Sequence, residues 1–447
     1  MSPSLLFRRG FTQALLCGGI GLSSAFSFAQ SNRIDQIRSD APALAAYGAF
    51  DIGVKTLQFK HPNQWDMLNA KSGQDVPMYD RPLTTEIWYP GQADPAAINA
   101  GEYHVFFRDG KTQITLHGKA LRDAKPNRTN GAYPLVIMSH GYPGNRFLMS
   151  PIAENLASKG YVVASIDHTD STYSDQGAFP STLRNRPLDV SFVIDEMVKA
   201  NRNAASPFKD LIDENRIALI GYSMGGYGVI NKLGGGFSDK ATQFPNLPKD
   251  SLNLLLHANP DFAKRRDPRI KAAVAFAPWG WKQGFWNEDG LKGIQTPMLF
   301  IAGSVDDVSG YAPGVRNIYE GSIHADRYLL TFENANHNAG APMPPPQEAW
   351  KSVPWLPVTP AAHYVDAVWD NVRMNNISQH FIAAFLGKHL EQDPAKAAHL
   401  DVLEYAQQGK WSANPDGSFK ADHTYWKGFP ARTAVGLRLE HLGAAAR

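Results

Sequence analysis

Apolar positions along this chain fall into two rhythms. From Pro134 onward, short runs that are apolar at nearly every position alternate with stretches whose apolar positions recur at helical spacing. The runs cover 135–139, 161–166, 217–220, 272–277, 298–302 and 328–332. The helix-like stretches centre on 152–158, 190–199, 226–232 and 315–319. A strand that is apolar throughout is buried on both faces, and regular alternation with helices makes the sheet parallel and covered on both sides. The expected fold class is therefore α/β, with a mostly parallel central sheet. A last helix is expected from about Ala361 to His389.

Residues 40–130 read differently. The segments 84–89, 103–107 and 113–117 alternate or carry aromatics, with glycine turns between them. They predict antiparallel strands extending the sheet edge, within an N-terminal part spanning 30–130. The core then spans 131–390, with an insertion near 234–262 and a patternless C-terminal extension at 391–447. Three loop-rich stretches, 171–186, 234–262 and 279–289, follow strands or a helix and are expected to lie over one face of the sheet.

Composition narrows the classes. At 447 residues and 43% hydrophobic, the chain is long enough for one large domain or two ordinary ones. Residues 1–29 read as a signal peptide: Arg8-Arg9, an apolar stretch to Phe28, and a small-x-small site at Ser27-Phe28-Ala29. Arg8-Arg9-Gly10-Phe11 is also compatible with a twin-arginine signal. Export to the periplasm or outside is expected, with no stable membrane insertion after cleavage. Losing Arg8 and Arg9 takes Lys and Arg from 44 to 42, equal to the 42 Asp and Glu. No dense basic cluster argues for nucleic acid. The single cysteine, Cys17, lies in the cleaved segment, so the mature chain relies on its core and not on disulfides.

Chemistry enters at Gly221-Tyr222-Ser223-Met224-Gly225, between the apolar run 217–220 and a helix-like stretch. Strand, sharp turn, helix is the context of a nucleophile elbow, where small residues two positions either side let strand and helix pass closely. An acid and a histidine are expected later, on loops after following strands. Run 298–302 is followed by Gly303-Ser304-Val305-Asp306-Asp307, and run 328–332 by Glu333-Asn334-Ala335-Asn336-His337. The catalytic set expected is Ser223, Asp306 and His337, with Asp307 an alternative acid. Imidazole is the side chain able to take a serine proton near neutral pH, and a carboxylate fixes its tautomer. The oxyanion hole is expected from the backbone N–H of Met224 and of Tyr142, in the glycine-containing loop Ser139-His140-Gly141-Tyr142-Pro143-Gly144. Trp279, Trp281, Phe285 and Trp286 follow a strand that ends beside this site and are expected to wall a substrate pocket. No metal site is expected, since His168 and Asp170 are too sparse a set of ligands.

The stretches Pro134-Leu135-Val136-Ile137-Met138-Ser139-His140-Gly141 and 154–164, with Asp167-His168-Thr169-Asp170 and Ile87-Trp88-Tyr89-Pro90, resemble the platelet-activating-factor acetylhydrolase and dienelactone-hydrolase-like esterases of the α/β-hydrolase fold. The Gly-x-Ser-Met-Gly-Gly elbow is similar to that of bacterial polyester hydrolases of the cutinase type. The resemblance covers roughly residues 80–390. It implies cofactor-free hydrolysis of carboxylic esters through an acyl-enzyme, on a small-molecule or lipid-like ester. Such polyester hydrolases usually have shorter chains with disulfides, which this chain departs from. Two other classes stand against an exported serine ester hydrolase. A serine peptidase on the same fold would need a peptide pocket, and a non-catalytic binding protein would typically have lost the nucleophile or histidine.

Overall fold

Six parallel strands form the centre of a ten-stranded sheet in the computed structural model, which describes residues 31–71, 73–93 and 101–446. The expected signal segment and Cys17 lie outside the described residues. In chain order the strands are β1 (Asp51–Trp65), β2 (Met78–Gly91), β3 (Glu102–Phe106), β4 (Gln113–His117), β5 (Leu121–Arg122), β6 (Tyr133–Ser139), β7 (Val162–His168), β8 (Ile212–Tyr222), β9 (Ile270–Phe276), β10 (Met298–Gly303), β11 (Arg327–Phe332) and β12 (Leu437–Leu442). The large sheet runs β12-β11-β10-β9-β8-β6-β7-β2-β1-β5. Strands β6 to β11 are parallel to their neighbours among themselves. These are the six apolar runs read from the sequence.

Alternate strand residues face opposite ways, so the sheet feeds two cores. Val136, Met138, Ala218, Ile220, Leu299 and Ile301 pack with α1 (Ser150–Ser158) on one side. Leu135, Ile137, Leu219, Ala273, Phe300 and Leu329 pack on the other with α2 (Phe179–Arg202) and α3 (Met224–Lys232). Further along come the short α4 (Glu288–Leu291) and α5 (Asn317–Gly321), then α6 (Asn371–Leu386), which joins the α1 side. None of the helices among the described residues is long and apolar enough to cross a membrane.

Four expectations need correction. Helix α2 begins at Phe179, inside a stretch read as loop. Pro180 fits a first helical turn, but Pro187 inside the helix is a residue that normally breaks the pattern. Strands β3 and β4 pair with each other in a separate two-stranded sheet; β2, with the unanticipated β1, extends the large one. Helix α6 starts at Asn371, not Ala361, because the Asp370 side chain accepts from the Arg373 N–H at 2.8 Å as an N-cap and Asp366 accepts from the Val368 and Trp369 N–H groups in the preceding turn. The C-terminal extension carries β12, antiparallel to β11 across six residue pairs.

Candidate active site

Strand β8 delivers Ser223 into a turn at φ 54° and ψ −111°, and α3 starts at the next residue. A non-glycine residue at positive φ is strained, and the neighbours hold it there: Ser223 N–H donates to the Phe276 carbonyl at 2.9 Å. The flanking glycines are demanded by close approach. A Cβ on Gly221 would lie 2.4 Å from the Gly225 carbonyl carbon, and one on Gly225 would lie 1.8 Å from the Ser139 carbonyl oxygen.

Loops after β10 and β11 bring two further side chains to this serine. Ser223 Oγ lies 2.9 Å from His337 Nε2, and His337 Nδ1 lies 3.0 Å from Asp306 Oδ2 and 3.1 Å from Oδ1. Asp306 is buried, and its Oδ1 also accepts from the Val308 and Ser309 N–H groups at 2.9 Å each. Those bonds fix the carboxylate against His337 Nδ1–H, which leaves Nε2 as the acceptor towards Ser223. Asp307 is exposed; its N–H donates to Asn336 Oδ1 at 3.0 Å, and the same oxygen accepts from the His337 N–H at 2.7 Å. Asp306, not Asp307, thus meets the histidine.

Gly141 lies beside this site. A Cβ there would lie 3.0 Å from the Tyr222 ring, a tight approach, and at ordinary contact distance, 3.6 Å, from Ser223 Cβ. Tyr142, Ser223, Tyr222, Val308, His337 and His363 share the lining of an open cleft of about 460 Å³. Met224 follows Ser223 as the first residue of α3, whose N-terminal N–H groups face the same end of the sheet.

His363 and Asn338 were not singled out in the sequence. Burial, reinforced by the charges of Arg108 and His337, pushes the His363 imidazole down to about 3, so it is neutral, and it hydrogen-bonds the backbone of Pro143. Asn338 accepts from the Tyr222 hydroxyl at 2.8 Å. Neither sits in a motif; the fold alone brings a loop beyond His337 back across the cleft.

The aromatic loop is placed differently from the expected wall. Phe285 and Trp286 are buried among Tyr227 and Phe237, and Trp286 Nε1–H donates to the Gly235 carbonyl at 2.9 Å. They are core residues, because the 234–262 insertion folds onto them. Trp279 and Trp281 are half-buried, and none of the four lines the cleft that opens on Ser223. Trp279 does stay close: its N–H donates to the Ser223 carbonyl at 3.2 Å, and its ring meets Phe179, which meets Tyr142. Among the described residues no group of three His, Cys, Asp or Glu side chains is placed to hold a metal.

Residues 77–186 match the family model "Platelet-activating factor acetylhydrolase, isoform II", a segment holding the His-Gly loop but ending before the elbow. Cutinase 2 of Thermobifida cellulosilytica is 27% identical over 263 residues, covering 58% of this chain and 79% of the relative. The platelet-activating factor acetylhydrolase of Bos taurus is 27% identical over 231 residues, covering 42% and 50% respectively. Among solved structures, a ferulic acid esterase from Streptomyces cinnamoneus superposes with a TM-score of 0.55 at 20% identity, covering 82% of this chain and 95% of the other. The fold is therefore of the α/β-hydrolase type, and the relatives matched in sequence are cutinases and platelet-activating factor acetylhydrolases. The matched part spans only 56% of Cutinase est1 of Thermobifida alba and half of the Bos taurus protein.

Proposed function

We propose that this protein is an exported serine ester hydrolase that works through an acyl-enzyme. Ser223 Oγ attacks the ester carbonyl carbon while His337 Nε2 takes its proton. Asp306 holds the imidazole in the tautomer that can accept and stabilises the imidazolium that results. Negative charge moves to the carbonyl oxygen, which accepts from the Tyr142 and Met224 backbone N–H groups. As the carbon–oxygen bond to the leaving alcohol breaks, His337 gives that alcohol the proton. Water, deprotonated by the same imidazole, then cleaves the acyl-serine and frees the acid.

One observation carries the reading: the unbroken chain from Ser223 Oγ through His337 to Asp306, at 2.9 and 3.0 Å, on a serine held at positive φ. Export is supported by the Arg8-Arg9, apolar and Ser27-Phe28-Ala29 order at the N-terminus. A short acyl group suits the cleft better than a long one, because Phe285 and Trp286 are spent on the core instead of on a binding wall.

Hydrolysis of p-nitrophenyl esters from acetate to palmitate tests this directly. Mature protein is expected to prefer the short esters, and Ser223→Ala to lose at least about a thousandfold in kcat with an unchanged melting temperature. Wild-type turnover in folded Ser223→Ala would sink the mechanism. Preference for palmitate would overturn the acyl assignment alone.

A further inference from the structure

A fully buried cation lies directly beneath the loop that carries Tyr142. Arg186, on α2, is 0% exposed and has no carboxylate within ion-pair distance among the described residues. Its guanidinium bonds only neutral acceptors. Nη1–H donates to the His140 carbonyl and to Ser139 Oγ at 3.2 Å; Nη2–H donates to the Gly141 carbonyl at 3.1 Å and to Ser171 Oγ at 2.6 Å. Its Nε–H has no partner. A charge buried this way is costly, and the acids nearby are already committed. Asp189 is bonded twice by Arg81, at 3.0 and 3.1 Å, and Asp170 is also bonded by Arg81, at 3.2 Å. The cluster is thus polarised, with both carboxylates bonded at the Arg81 end and the Arg186 guanidinium, bonded to no carboxylate, at the loop end.

A relay holds Arg186 in register. His168 Nδ1 lies 2.9 Å from Asp189 Oδ2, and His168 Nε2 lies 2.9 Å from Ser139 Oγ. Burial pushes the His168 imidazole down to about 3, so it is neutral; Nδ1–H donates to Asp189 and Nε2 accepts from the Ser139 hydroxyl. The serine oxygen is left free to accept from Arg186. This Ser-His-Asp set has the spacing of the Ser223 set, yet every member is buried, and its product is a fixed guanidinium.

The consequence lies in one peptide plane. The Gly141 carbonyl and the Tyr142 N–H are opposite ends of the same planar trans unit, so fixing one aims the other. Gly141 O accepts from Arg186 beneath and from His140 Nδ1–H at 2.6 Å. With its oxygen tied down, the plane presents Tyr142 N–H to the cleft, and donation to the oxygen polarises that N–H. We propose that Arg186 is a positioning residue for the oxyanion hole, acting through the Gly141–Tyr142 peptide and through its unpaired charge. This rests on the reading that Ser223 is the nucleophile.

The two readings fail separately. Arg186→Met is expected to lower kcat on p-nitrophenyl acetate roughly tenfold to a hundredfold with KM within about twofold, since the interaction matters only when the oxyanion forms. Binding of phenylboronic acid, which makes a tetrahedral adduct with a serine nucleophile, is expected to weaken by a like factor. Arg186→Lys should recover part of both. Ser171→Ala, which removes one support with little disturbance, is expected to cost several-fold in kcat and in boronate affinity, and it carries the test if Arg186→Met does not fold. Unchanged kcat and boronate affinity in a folded variant overturn the proposal, and so does a rise in KM with kcat unchanged. Turnover retained by Ser223→Ala would instead overturn the nucleophile.

Discussion

At Gly225 an added methyl group would meet the Ser139 carbonyl oxygen at 1.8 Å and the His140 carbonyl oxygen at 3.0 Å, backbone atoms that cannot swing aside. Gly225→Ala is therefore expected to lower stability by about 1–3 kcal/mol or more and to displace Ser223 from His337. Thermal melting and p-nitrophenyl acetate turnover check both; a variant with native melting and native kcat would refute the close-approach argument. Only an imidazole at this position can take the Ser223 proton, so His337→Ala is expected to lose nearly as much kcat on p-nitrophenyl acetate as Ser223→Ala while melting like the native protein. Native turnover in folded His337→Ala would contradict that role. Single residues were legible where local chemistry constrains them. Gly-x-Ser-x-Gly after an apolar run announced the elbow, and Asp306 and His337 followed from strand order. Between the adjacent Asp306 and Asp307 the sequence favoured Asp306, three residues after Gly303, and the structure separates them by direction: Asp306 turns inward to accept two backbone N–H groups, and Asp307 is exposed.

Among elements, those with a regular hydrophobic period were readable and those held by long-range bonds were not. Strands β6 to β11 are apolar at nearly every position because both faces are covered, and that pattern is visible in one dimension. The β3–β4 pair carries the alternation of an edge strand, yet it leaves the sheet. Buried Glu154 on α1 captures the region, accepting from the Tyr103 hydroxyl at 2.5 Å and from the Lys119 and Ala120 N–H groups at 2.9 and 3.1 Å. Strand β12 shows the same lesson at the other edge. It covers β11, buries Leu437 and Leu439, and places Glu440 on Arg316 at 2.8 and 3.0 Å. Removing residues 435–446 would expose the apolar β11 as an open edge. Such a truncation is expected to accumulate mainly as insoluble protein on expression. A soluble, active truncation would show the strand to be an accessory.

Across the whole molecule, neutral histidines are a stability reserve against acid. Burial holds His168 and His363 at about 3, below the 6.5 of an open chain. Between those values the unfolded state binds more protons than the folded one, so stability rises with pH across that window. It is fully present above about 6.5 and is lost as pH falls towards 3. The melting temperature is accordingly expected to drop by several degrees between about pH 7 and pH 4, and a constant value would show that these groups are not buried neutral. The sequence by itself determined the parallel sheet, the elbow and the order of the three site residues, because strand burial and turn sterics act over a few neighbouring positions. Tertiary structure decided which loop residues reach the cleft and which aromatics become core. It also decided which edge strands join the sheet, and it placed a buried arginine under the Tyr142 loop. Those outcomes depend on contacts between residues tens to hundreds of positions apart, whose partners no local pattern names.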